Sequence, residues 1–171
     1  MQRPVRQSWI RSCVAECDNT ACLFQAEAAL FDAMANPDSV GEWLHLSWQH
    51  QQSALKLADD RLTAGQALQH VGFSTEAALK GYIFHRERFN SWPSRAARPD
   101  LYDHNLRNLC RIAQIDILAL GPVTASWHTM LQWGRHQGYD PKPTPIPVVD
   151  GYLKAAFGED GAVTWLCQNL P

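Results

Sequence analysis

Two helix-start signals lie close together in the chain and constrain its fold more than any other feature. Residues 39–42 (Ser-Val-Gly-Glu) and 63–66 (Thr-Ala-Gly-Gln) both have the capping-box pattern, in which the first and fourth side chains satisfy each other's backbone donors. Apolar residues recur at a helical period after each signal, as far as about Ala58 and Phe89. Residues 39–89 therefore predict a helical hairpin.

The rest of the chain also favours helices over strands. No segment alternates polar and apolar residues, and no hairpin dipeptide separates β-branched runs. Prolines predict a long loop at 90–103 and an extended segment at 141–147. Further helices are predicted at 20–35, after Asp103, after Gly121-Pro122, and at 148–170 with a bend near Gly158 or Gly161. We expect an all-α bundle.

Composition excludes several classes of protein. With 15 Lys+Arg and 17 Asp+Glu the chain has a formal net charge of −2, so any contact with nucleic acid must come from a local patch. No apolar run is long enough to span a membrane, and the first eleven residues do not form an export signal. Five cysteines, an odd number, favour a reducing compartment over a disulfide scaffold, so we expect a cytoplasmic protein without a cofactor.

Two short motifs carry a resemblance to a known family. Residues 76–80 have the pattern Glu-x-x-Leu-Lys, and residues 104–109 have the pattern His-Asn-Leu-x-x-Leu. In this order, on a helical hairpin and after the following loop, they resemble the motifs of the HEPN family, although Asn105 replaces the usual aspartate. The family's later Arg-Tyr-Pro-like pattern corresponds only to 135–141. The likeness covers about 39–170, which leaves 1–38 as an N-terminal helical extension and 39–171 as the bundle.

The HEPN resemblance implies both a fold and a function. The fold would be an up-and-down helical bundle that forms a homodimer, with polar sites along a shared cleft. The protein would be non-catalytic and would bind a nucleotide or RNA, or act with a protein such as a nucleotidyltransferase, in a toxin-antitoxin or phage-defence system. Glu76 and Lys80 would form a polar site in the hairpin, although their i,i+4 spacing also suits a solvated surface pair.

A metal-independent endoribonuclease is the alternative function. Many HEPN ribonucleases have an arginine four to six residues before a histidine, and five residues separate Arg98 from His104. If Asp103 caps the next helix, His104 lies in its first turn and could accept the proton of a ribose 2′-hydroxyl while Arg98 stabilises the phosphorane charge. His104 bonding the preceding loop, with Arg98 solvated, is the simpler interpretation.

Basic and aromatic residues near the long loop form the candidate anion-binding patch. Trp92 and Tyr102 flank it and could stack on bases, or could pin the loop to the core. The candidate nucleotide- or RNA-binding residues are Glu76, Lys80, Arg95, Tyr102, Asn105 and Arg107.

Motifs of other chemistries are missing. Cys13, Cys17 and Cys22 lack a fourth ligand at zinc spacing, so no metal site is expected. The sequence contains no phosphate-binding glycine loop, zincin motif or esterase elbow. A pure interaction protein remains the third possibility.

Overall fold

The computed structural model describes residues 36–170. The predicted helix at 20–35 and the three N-terminal cysteines lie outside these residues. Within this range six α-helices follow one another: α1 (Val40–Leu57), α2 (Ala64–Arg86), α3 (Leu106–Ile112), α4 (Val123–Met130), α5 (Ile146–Phe157) and α6 (Ala162–Gln168). Short 3₁₀ turns occur at Pro99–Tyr102, Ile117–Ala119 and Arg135–Tyr139. The described part of the chain contains no strand, and the all-α bundle is confirmed.

Helices α1 and α2 form the predicted hairpin, but only one of its two capping boxes has a capping bond. The Ser39 hydroxyl accepts a hydrogen bond from the Glu42 amide at 3.1 Å, while the Glu42 carboxylate accepts one from the Asp38 amide at 2.6 Å. Thr63 makes no cap bond and instead donates its hydroxyl to the Leu57 carbonyl at 2.8 Å. The second capping box was therefore wrong, because the Thr63 hydroxyl closes the turn between the helices.

A buried pair of serines joins the two antiparallel helices. Ser47 donates to the Ser74 carbonyl at 2.9 Å, and Ser74 donates to the Ser47 carbonyl at 2.8 Å. Both hydroxyls are thus satisfied in a buried position, where an unpaired one would cost about 1–3 kcal/mol. Their reciprocal bonding sets the register in which α1 lies along α2.

Helix α2 is the central element of the bundle. Sixteen of its 23 residues are buried, because α1, α3, α5, α6 and the 3₁₀ turn at Arg135–Tyr139 all pack on it. The Trp133 ring takes the place of a side chain at Gly72, since a Cβ there would lie 1.8 Å from the ring. This contact seats the segment after α4 against the middle of α2.

Two predicted helices have different boundaries from those expected. Helix α3 begins after Asn105, whose side chain accepts from the Arg107 amide at 3.0 Å, so His104 precedes the helix and is not in its first turn. Asp103 does not cap it, because its carboxylate accepts from the Asn105 amide and the Asn108 side chain.

The C-terminal segment is broken more sharply than the predicted bend. It forms α5 and α6, with a break at residues 158–161 where both glycines lie close to backbone carbonyls of α5. Among the described residues, none of the helices has the length and apolarity needed to cross a bilayer.

Candidate functional site

A buried ion pair lies at the centre of the candidate site. Lys80 Nζ is 2.8 Å from Glu76 Oε1, and the two side chains are only 7% and 9% exposed. Lys80 also lies over the Trp43 ring, 5.6 Å from its centroid. The pair is therefore part of the interior between α1 and α2 and not a solvated surface pair, and each charge depends on the other for its stability there.

His104 extends this pair to the surface. Its Nδ1 lies 2.8 Å from the same Glu76 oxygen, and its side chain is 43% exposed. Because an ionised carboxylate can only accept, Nδ1 must be the donor, which leaves the lone pair of the neutral ring on Nε2. No other described residue hydrogen-bonds to Nε2. The carboxylate thus orients the imidazole and leaves its other nitrogen free.

An open groove of about 420 Å³ lies beside His104, and we call it the cationic groove. Arg107, Arg135 and two histidines line it, and no carboxylate of the described residues does. The Arg135 guanidinium makes no hydrogen bond or ion pair with any described residue. The lining consists of His104, Asn105, Arg107, Leu131, Gln132, Trp133, Gly134, Arg135 and His136.

Arg135 also lines a second hollow, of about 290 Å³, and we call it the aromatic pocket. The Arg135 guanidinium lies 5.1 Å from the centroid of the Phe73 ring in its wall. Glu76 also lines this pocket, and its Oε2 atom is buried without a hydrogen-bond partner. The lining consists of Trp43, Leu46, His50, Phe73, Glu76, Ala77 and Arg135.

Two half-buried histidines lie next to the aromatic pocket. The Nδ1 atoms of His50 and His70 are 2.9 Å apart, so one ring donates to the other. Burial, and then the neighbouring His70, lower the pKa of His50, whereas the Glu76 carboxylate opposes this change. Burial also lowers the pKa of His70. Both rings are therefore held neutral at neutral pH.

The structure does not bring Arg98 and His104 together. Arg98 donates from Nε and Nη2 to Asp100 at 3.0 and 2.8 Å, and it lies 4.0 Å from Glu87. The hydrogen bond to Asp100 raises the pKa of Arg98 and lowers that of Asp100. Arg98 does not line the cationic groove, so its predicted pairing with His104 has no support within one chain.

The other loop residues fix the loop instead of lining the groove. Trp92 is buried, with its ring centroid 4.7 Å from that of Trp43. Tyr102 donates its hydroxyl to the Pro93 carbonyl at 2.9 Å, and Arg95 lies over the Tyr102 ring at 6.0 Å. The loop is therefore pinned to the core, which was the simpler of the two expectations.

The structure brings five of the predicted residues together and adds three others. Glu76, Lys80 and His104 are in contact, and Asn105 and Arg107 line the groove with His104. Arg135, His136 and His50 were not predicted as site residues, because their positions depend on tertiary packing. The partial match of 135–141 to the family's later motif was the signal in the sequence that pointed to Arg135 and His136.

Metal and thiol chemistry have no support among residues 36–170. No three His, Cys, Asp or Glu side chains there lie close enough together to hold a metal ion. Burial raises the pKa of Cys110 to about 12, so this cysteine stays a thiol at neutral pH and is not a nucleophile.

The chemistry that this arrangement allows is therefore that of anion binding and proton transfer. Two guanidinium groups can neutralise an oxyanion, and the oriented imidazole can exchange a proton with it. Comparisons of the chain with protein-family models, curated proteins and solved structures found no match.

Proposed function

We propose that this protein binds single-stranded RNA or a nucleotide by holding a phosphate in the cationic groove. The observation that carries the proposal is the lining of the groove, which combines Arg107, Arg135 and two histidines without a carboxylate. The whole chain has a net charge of −2, so this is a local concentration of positive charge. Local basic patches of this kind are what bind the nucleic-acid backbone.

Arg135 is the residue best suited to hold the phosphate. Its guanidinium has no protein acceptor among the described residues, so its donors are available to a ligand. A planar guanidinium can donate two parallel hydrogen bonds to a phosphate, which a lysine cannot. The cation–π contact with the Phe73 ring restrains the Arg135 side chain.

The HEPN resemblance supports the same class of ligand and adds partners to the proposal. We infer a homodimer, and a role beside a protein partner such as a nucleotidyltransferase in a toxin-antitoxin or phage-defence setting. One chain has a mass of 19.3 kDa, so light scattering after size-exclusion chromatography distinguishes a dimer from a monomer directly. A monomeric mass at all concentrations would contradict the dimer and leave RNA binding untouched.

Fluorescence anisotropy with a labelled single-stranded RNA tests the binding proposal. Arg107→Gln and Arg135→Gln should each weaken binding about tenfold or more, since a hydrogen bond to a charged group contributes about 1.5–3 kcal/mol. Arg95→Gln is the matched control, because Arg95 is exposed but lies on the pinned loop. Affinity that falls with Arg95→Gln and not with the groove substitutions would place the ligand on the loop and overturn the proposal.

A metal-independent endoribonuclease is the second candidate, because the Glu76 carboxylate binds His104 Nδ1 and leaves Nε2 free to accept a proton. His104 Nε2 would accept the 2′-hydroxyl proton as the 2′-oxygen bonds to phosphorus and the 5′-oxygen leaves, taking a proton from water. The product is a 2′,3′-cyclic phosphate. Arg135 would then stabilise the phosphorane charge, which is the role that the sequence motif assigns to Arg98.

Cleavage of total RNA in EDTA tests this second candidate. His104→Ala should abolish cleavage, whereas His128→Ala, at an exposed histidine on α4, should leave the rate unchanged. Cleavage that survives His104→Ala would exclude the proposed role. An RNA that is bound by the groove and left intact would establish the binding function alone.

A further inference from the structure

The aromatic pocket contains two buried polar atoms that the protein itself does not satisfy. Glu76 Oε2 is an acceptor without a donor, and the Trp43 indole N–H is a donor without an acceptor. Both residues line the pocket. A buried polar atom without a partner lowers the stability of the protein, and a ligand that supplies the missing partner removes this penalty. The pocket therefore lacks a hydrogen-bond donor for Glu76 Oε2 and an acceptor for the Trp43 N–H group.

One oxygen of the Glu76 carboxylate is bound within the protein, and the other has no partner there. Oε1 already accepts from Lys80 and from His104, both at 2.8 Å. These contacts fix the carboxylate plane, and the oxygens of a carboxylate accept hydrogen bonds and donate none. A ligand group facing Oε2 must therefore donate hydrogen bonds and carry no acceptor beside the donor.

Arg135, which also lines the pocket, presents the opposite requirement. Its guanidinium carries a fixed fork of donors without acceptors among the described residues. A ligand facing this fork must present two neighbouring acceptors. The aromatic ring of Phe73 in the pocket wall supplies a flat surface on which a base can stack.

Guanine matches both requirements, and the other three RNA bases do not. Its N1–H and N2–H₂ groups are adjacent donors suited to a carboxylate, and its O6 and N7 atoms are adjacent acceptors suited to an arginine fork. Adenine and cytosine place a ring acceptor beside the amino donor, which the Glu76 carboxylate repels. Uracil flanks its single N–H with two carbonyl oxygens.

The dimensions also fit one base with its phosphate outside. A volume of about 290 Å³ is just below the range of about 300–1,000 Å³ for ligand cavities, so the pocket admits one ring system. Arg135 lines both the aromatic pocket and the cationic groove. A base in the pocket would therefore lie next to the phosphate that the groove holds.

We propose that the aromatic pocket recognises guanine, with Glu76 Oε2 accepting from its N1–H and N2–H₂ groups and Arg135 donating to its O6 and N7 atoms. The inference rests on the proposed RNA binding and narrows its ligand to guanine-containing strands or guanine nucleotides. Lys80 and His104 are positioning residues in this arrangement, because they act on the base through Glu76.

Titration of the unmodified full chain with the four 5′-mononucleotides and with inosine monophosphate tests the proposal, using tryptophan fluorescence and calorimetry. GMP should bind about tenfold or more tightly than AMP, UMP or CMP. Inosine monophosphate lacks the 2-amino group and should bind with intermediate affinity. Because the comparison is between ligands, it does not depend on any variant folding correctly.

A matched pair of variants tests whether Glu76 is the source of the preference for GMP over AMP. Glu76→Gln, which keeps the shape but replaces one acceptor by a donor, should reduce the ratio of GMP to AMP affinity to less than about twofold. Glu87→Gln removes a half-exposed carboxylate near Arg98 and should leave the ratio unchanged. Circular dichroism of each variant verifies its fold.

The outcomes separate this inference from the proposed function. Equal affinity for all nucleotides, weakened by Arg135→Gln in every case, would overturn guanine recognition and leave phosphate binding intact. A guanine preference that persists in Glu76→Gln would also overturn the assigned pocket. No binding of any nucleotide or RNA would overturn both proposals.

Discussion

Glu76 joins the interior of the bundle to its surface through a single carboxylate oxygen. Lys80 Nζ and His104 Nδ1 both donate to Oε1, one from the core and one from the edge of the cationic groove. Lys80 and Glu76 form a buried ion pair, and each group offsets part of the cost of burying the other. The orientation of the exposed imidazole therefore depends on a residue that a ligand in the groove does not touch.

Removing this carboxylate should destabilise the fold strongly. Glu76→Ala leaves Lys80 as an uncompensated buried charge, so we expect the free energy of unfolding to fall by about 3–5 kcal/mol in urea denaturation. The double variant Glu76→Ala/Lys80→Met should recover part of this loss, because the stranded charge is gone. If the double variant were less stable than Glu76→Ala, the ion pair would not be the cause.

The neighbouring histidine pair should make stability depend on pH. Burial lowers the pKa of His50 and His70 below the usual 6.5. Just below pH 6.5 the unfolded chain therefore binds more protons at these two histidines than the folded chain does. Their contribution to stability is present above pH 6.5 and is lost as the pH falls through the lowered native values.

Urea denaturation at pH 7.5 and pH 5 measures this effect. In His50→Gln the loss of stability between the two pH values should be smaller than in the unmodified chain, with His128→Gln as the exposed-histidine control. An equal loss in His50→Gln and the unmodified chain would exclude the pair as the source.

At the scale of elements, the position of the 3₁₀ turn at Arg135–Tyr139 depends on one glycine of α2. Gly72 lies in the middle of a helix, where glycine usually lowers stability relative to alanine by about 1 kcal/mol. Here the missing side chain makes room for the Trp133 ring. Trp133 precedes Arg135 by two residues, so the packing of a core tryptophan positions a groove arginine.

Two glycine-to-alanine substitutions should therefore act in opposite directions. Gly72→Ala places a methyl group into the Trp133 ring and should lower the free energy of unfolding by about 1–3 kcal/mol while weakening RNA binding. Gly151→Ala, on an exposed face of α5 with no neighbour within 4 Å, should raise stability by about 0.5–1 kcal/mol. Thermal denaturation checks both, and stabilisation by Gly72→Ala would disprove the packing argument.

The elements were predictable where short-range chemistry determines them. Ser39 caps the start of α1, and prolines exclude helix from most of the segment before α5. The prediction failed at Asp103 and Thr63, where a cap-type residue has several possible acceptors or donors nearby. Asp103 bonds Asn105 and Asn108 instead of capping a helix, and the tertiary context decides such cases.

At the scale of the whole molecule, binding of a polyanion must overcome an overall negative charge. A net charge of −2 gives no long-range attraction for RNA, so affinity must come from a few direct contacts in the cationic groove. Such contacts release counterions from the strand, and each contributes about 0.7 to the slope of log affinity against log salt for a single strand.

The slope of log RNA affinity against log salt concentration should give the number of these contacts. We expect Arg107→Gln and Arg135→Gln each to reduce the magnitude of the slope by about 0.7. Arg61→Gln, an exposed arginine in the turn between α1 and α2, should leave the slope unchanged. Slopes that change equally in all three variants would mean that RNA contacts the surface without using the groove.

The site was only partly predictable, because its two halves lie far apart in the sequence. Glu76, Lys80 and His104 could be found from their motifs, and the contacts among them follow from the packing of α2 and the residues before α3. Arg135 could not be placed, since nothing local shows that Trp133 docks on Gly72. Arg98 was chosen by its spacing to His104, and its bond to Asp100 was overlooked.

The Trp133 contact has a thermodynamic consequence for any ligand. A loop arginine ordinarily loses conformational entropy when it closes on a phosphate, and this loss weakens binding. Here the indole two residues earlier is already wedged into the longest helix, so most of that ordering occurs during folding. The groove is preorganised, and complex formation need not immobilise its backbone.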